Sequence, residues 1–162
     1  MEAKPFQEIK ISDITKKADV SRMAYYRNYQ EKSEILTQHL EAFLRSYQDR
    51  LNDMRQLTEK ELWLDFFSAL KGDPILKYIR MAGLMAPTID IFTGFNTDIY
   101  SRIFQWDMKD LRNQMVIYQR MGLLAGLMMF LIDHHQEADV ELLAEQVISI
   151  AGNDRDREPL SF

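Results

Sequence analysis

The chain has 162 residues, 46% of them hydrophobic, carries 20 Lys and Arg against 25 Asp and Glu, and contains no cysteine. A chain of this size buries about 70% of the surface its unfolded form exposes, enough for one or two cores, and the missing cysteines exclude disulfides, thiolate metal sites and cysteine nucleophiles. Met1 to Lys10 is polar, unlike a secretion signal, and the longest unbroken apolar run, Met121 to Ile132, is too short for a bilayer, so a cytoplasmic protein without a membrane partner is expected.

The N-terminal segment carries the most informative pattern. Ile11, Ile14 and Ala18 fall at helical spacing and predict a helix of about two turns. Asp19 follows where a sharp exit needs a residue that tolerates the left-handed conformation. Val20 is expected to plug a small core. Ser21 is a good N-cap for a second helix bearing Arg22, Tyr25, Tyr26, Arg27 and Tyr29. A supporting helix, a turn and a second helix with basic and polar side chains make the layout of a helix-turn-helix. Charge is divided accordingly: residues 1–32 hold seven Lys/Arg against five Asp/Glu, whereas the rest of the chain is acidic.

Ile14, Ala18, Val20, Ser21, Tyr25, Tyr26, Tyr29 and Lys32 stand in order and without gaps at the positions of a known pattern. From Ile9 to Leu36 the chain resembles the tetracycline-repressor (TetR) family of bacterial transcription regulators. The resemblance implies a DNA-binding repressor that grips a palindromic double-stranded operator as a homodimer and lets go when a small molecule binds its body. It places Ser21, Arg22, Ala24, Tyr26, Arg27 and Lys32 on DNA, with Arg22 and Arg27 sampling base edges or phosphate and Tyr26 and Lys32 on phosphate. Asp19 departs from the family's turn glycine, and Met23 and Ala24 replace a small residue and a hydroxyl residue, so operator preference does not carry over. The family also has a helix ahead of the Ile9 region. With eight residues before Ile9, including Pro5, that first helix is expected to be missing, leaving a wall of Ile9, Ile11, Ile14 and Val20 partly open to water.

Beyond this segment the periodicity is helical throughout. One helix is expected from about Glu31 to Arg55 on a stripe through Leu36, Leu40, Phe43, Leu44, Tyr47, Leu51 and Met54. Thr58 and Glu61 read as a capping box, and Asp73-Pro74 as another helix start. Pro87 and Gly94 are expected to break the chain near 86–96, ahead of a short helix from about Thr97 to Gln105. A long helix should span about Met108 to Ile132, and a last one, capped by Asp139 and ended by Gly152, precedes a polar tail after Asn153. The expected fold is all-α: a helix-turn-helix head over 1–40 and a larger helical ligand-binding and dimerisation body over 41–162.

Two clusters in the body invite a functional reading. Nine of the chain's eighteen aromatic residues lie between Trp63 and Trp106, twice an even share. Phe66, Phe67, Tyr78, Met81, Met85, Phe92 and Phe104 could line a cavity for a small apolar or aromatic effector, with Arg80 or His39 orienting one polar group, or could simply fill the core. Gly122, Ala125, Gly126 and Met129, with Leu143 and Val147 on the last helix, are expected at a homodimer interface, because small residues four apart admit a neighbouring helix; an internal helix contact is the alternative. His39 falls on the apolar stripe and reads as an interior histidine. His134 and His135 are adjacent and project about 100° apart on a helix, so they form no metal pair. With no phosphate loop, metal-spaced cluster or nucleophile motif, neither enzyme, metal nor cofactor is expected. A TetR-derived protein that binds an effector or partner but no longer grips DNA is the competing functional reading.

Overall fold

A computed structural model describes residues 5–52 and 58–151, and all regular structure among them is helical. A single 3-10 turn (Phe6–Glu8) leads into α1 (Ile11–Lys17) and α2 (Arg22–Asn28). Then follow α3 (Ser33–Asn52), α4 (Glu59–Gly72), α5 (Ile75–Ala82), α6 (Met85–Arg102), α7 (Leu111–Asp133) and α8 (Val140–Ala151). The expected ends at Met54, Arg55, Gly152 and the tail lie outside the described residues.

The starts and stops follow local chemistry. Thr58 Oγ1 accepts the Glu61 amide at 3.3 Å while Glu61 Oε2 accepts the Thr58 amide at 2.9 Å, closing the capping box. The Thr58 hydroxyl and amide hold the Glu61 carboxyl below its ordinary pKa. Asp73 Oδ1 takes the Ile75 amide, Asp110 Oδ1 the Arg112 amide and Asp139 Oδ1 the Glu141 amide, at 2.8, 2.8 and 2.9 Å. Helix α5 ends at Gly83, whose φ of 74° suits a residue without Cβ.

Helix α6 departs from expectation. It runs unbroken through Pro87 and Gly94. Pro87 sits in the first turn, where backbone N–H groups lack helical partners in any case, and the missing side chain at Gly94 is too small a deficit to stop a helix packed on α7 and α3.

Helices α3 to α8 share one core. Packing of α4 on α8 is the most extensive, with α6 on α7 and α3 on α5 and α6 completing it. Trp63, Phe66, Phe67, Phe92 and Tyr100 are fully buried, and Phe66 stacks on Phe95 at 5.5 Å with Tyr47 edge-on at 5.4 Å. Leu40 belongs to this core, and α3 passes through that residue without a break. Buried Tyr47 donates its hydroxyl to Leu62 O at 2.8 Å, and burial pushes its pKa above the ordinary value. A raised folded-state pKa stabilises the fold below about pH 10 and loses that contribution as pH rises further. Urea unfolding of Tyr47→Phe should therefore show a shallower loss of stability above pH 10 than the parent; identical pH dependence would remove Tyr47 as the cause.

A polar network crosses the core. Glu59 Oε1, at the start of α4, accepts from the Arg120 guanidinium on α7 and from the Tyr100 hydroxyl on α6 at 2.5 Å. Trp63 Nε1 donates to that same hydroxyl oxygen at 3.3 Å. Arg120 is only 5% exposed, and its guanidinium lies over the Tyr100 ring, 4.5 Å from the centroid, and 5.4 Å from that of Trp106.

Candidate nucleic-acid interface

Helices α1 and α2 are joined by a turn that the sequence specifies closely. Asp19 takes φ 53°, Asp19 N donates to Lys16 O at 3.4 Å, and Val20 N donates to Thr15 O at 3.0 Å, the paired bonds of a Schellman ending. Ser21 Oγ then accepts the Ala24 amide at 3.0 Å and starts α2. At 100° per residue Arg22, Tyr26, Met23 and Arg27 share an arc of about 140°, and all four are exposed. Tyr25 turns the other way. It is buried, with its ring 5.2 Å from Tyr26 and 5.5 Å from Tyr29, and burial raises its pKa.

Of the six side chains expected on DNA, Ser21, Arg22, Tyr26 and Arg27 lie on exposed surface. Ala24 recedes: it is half-buried and off the arc, and its carbonyl accepts Asn28 Nδ2 at 2.9 Å. Lys32 is committed elsewhere. Its ammonium donates to Phe6 O, Gln7 O and Ile9 O at 2.7, 2.9 and 2.9 Å and sits 4.8 Å from the Phe6 ring centre. Three ammonium protons meet three carbonyls, so Lys32 ties residues 6–9 to the start of α3, and a phosphate contact would have to displace them.

Val20 does not plug a core. It is 46% exposed, because the turn aims it outward and the two short helices enclose little. Thr15 and Tyr25 are the only described residues before Leu40 that are buried, while Ile9, Ile11 and Ile14 are half-buried. A groove of about 760 Å³ opens beside them, with Ile9, Ile11, Tyr26 and Leu84 in its apolar wall and Lys10 and Arg22 among its polar lining.

The expected effector residues do not converge. Phe66, Phe67 and Phe92 interlock within the core, Phe104 stacks on Tyr100 at 5.2 Å, and Met85 is half-buried against the core. Tyr78 and Met81 face outward from α5. None of the seven lines the head groove, the cavity of about 260 Å³ between α3 and α4, or the cavity of about 190 Å³ between α6 and α7. Arg80 pairs with Asp133. His39 is exposed rather than interior, with Nε2 3.2 Å from Asp73 Oδ2.

The expected interface residues also separate. Gly122 and Gly126 are exposed, with Ala125 and Met129 half-buried beside them. Leu143 and Val147 are buried in the chain's own core, on the α8 helix that packs on α4, which corrects their assignment to a subunit interface. Leu111, Met115 and Tyr118 on α7 are 74%, 57% and 68% exposed. Their spacing continues through Gly122, Ala125, Gly126 and Met129 as one stripe along α7, a 3.6-residue period visible in the sequence but dispersed among polar neighbours. An 18-residue window of α7 has mean hydropathy 1.7 and is one-third buried, so α7 is long and apolar enough to cross a bilayer by length and composition, although its longest apolar run is shorter. No known protein family, curated protein or solved structure matches the chain.

Proposed function

We propose that the chain is a DNA-binding transcription regulator of the TetR type, a repressor that works as a homodimer on a palindromic duplex. The observation that carries this reading is the exposed face of α2, where Arg22, Tyr26 and Arg27 project from a helix held by the Ser21 cap and the Asp19 turn. Ser21 and Tyr26 stand at positions of the family pattern, and the outward arc of α2 suits entry into a major groove. The apolar stripe on α7 supports pairing, since two copies would place two basic heads on one duplex.

Release by a small apolar or aromatic effector belongs to this reading through the resemblance alone. Phe66, Phe67 and Phe92 already fill the interior, so a ligand entering there would displace rings.

The sparse head favours one alternative, a TetR-derived protein that binds an effector or partner without gripping DNA. Two short helices with Thr15 and Tyr25 as their buried side chains offer little to hold α2 at a fixed angle. Gel shifts of the full chain on the promoter of its own gene, with a scrambled duplex as control, separate the two. Specific retardation is expected, and Arg22→Ala should weaken it by about 1–3 kcal/mol if Arg22 reads a base. Equal retardation of both duplexes, or none, would favour the alternative.

A further inference from the structure

We infer that Met23 reads the 5-methyl group of a thymine in the major groove, a specificity contact that rests on the DNA-binding reading above. Met23 is 79% exposed, the most exposed large apolar side chain among the described residues. Folding leaves its thioether arm in water, so intramolecular packing does not account for a large apolar residue there. The surroundings narrow its partner. Val20, Met23 and Tyr26 recur every three residues and are all exposed, and Arg22 and Arg27 flank Met23 on the same arc. An apolar strip edged by cations complements a surface that is apolar in the middle and anionic at both edges. The major groove is such a surface wherever thymine occurs, because the methyl projects from the base edge and phosphates border the groove.

Within the arc Met23 lies between Tyr26 and Arg27 in angle, so it faces the floor when the two arginines face the walls. An unbranched thioether adapts its shape to the contact, and α2 contributes no hydroxyl or amide at this position that would hydrogen-bond another base.

The test begins with selection of duplexes from a random pool by the full chain. Thymidine in the recovered sequence is then replaced by deoxyuridine, one position at a time, removing only the methyl. At one position in each half-site the parent protein should lose about fourfold in affinity, the worth of one buried methyl group. Met23→Ala, and Met23→Gln, which keeps the chain length, should bind the two duplexes equally. Thymine-to-uracil sensitivity retained in both variants assigns the contact to another side chain and overturns the inference. A selected duplex indifferent to uracil throughout overturns it while leaving DNA binding intact. Failure to enrich any duplex removes both.

Discussion

Gly126→Leu should stabilise the individual chain and weaken the proposed pairing of two copies along α7. Within one copy, a Cβ at Gly126 or Gly122 meets no atom within 4 Å, so neither glycine is required by the chain's own packing. Replacing a helical glycine raises helix stability by about 0.5–1 kcal/mol, because glycine loses the most backbone freedom on folding. In a symmetric pair joined along the α7 stripe, the same leucine lies where two backbones approach. Overpacking there costs about 1–3 kcal/mol at each of two sites, a rise in dissociation constant of roughly thirtyfold or more. The two effects have opposite signs. Thermal unfolding at low concentration should report the gain, and analytical ultracentrifugation at micromolar concentration the loss. A parent chain that sediments as a monomer, or a variant that pairs as tightly as the parent, would sink the proposal that α7 joins the copies.

Glu59→Ala should destabilise the fold by about 3 kcal/mol. The substitution leaves the Arg120 guanidinium, on a side chain 6% exposed, without its carboxylate and takes an acceptor from the Tyr100 hydroxyl. The Glu59 side chain is 28% exposed, so water reaches its end of the pair and the figure belongs at the lower end of the range for breaking a buried ion pair. The Glu59→Leu/Arg120→Met double variant should recover most of the loss, since it removes both charges together. A shift in the urea midpoint worth less than about 1 kcal/mol in the single variant would show that water and the Tyr100 and Trp106 rings hold the guanidinium unaided.

What the sequence determined by itself was local. The left-handed turn at Asp19, the caps at Ser21, Thr58 and Asp139, and the all-helical fold rest on bonds spanning at most five residues. The outward arc of α2 follows equally from helical spacing. Which side of a helix meets which neighbour was decided only by the tertiary structure. Lys32 reaches carbonyls some two dozen positions away, and Arg120 finds Glu59 across 61 positions. No spacing rule links groups so far apart along the chain. Phe66, Phe67 and Phe92 could line a cavity or close it on composition alone, and the angles at which α3, α4 and α6 pack brought the rings together instead. The same freedom divided the expected interface: α4 covers Leu143 and Val147 on α8 but leaves Leu111, Met115 and Tyr118 on α7 uncovered. Periodicity marks an apolar stripe, but burial depends on whether another part of the same chain arrives to cover it.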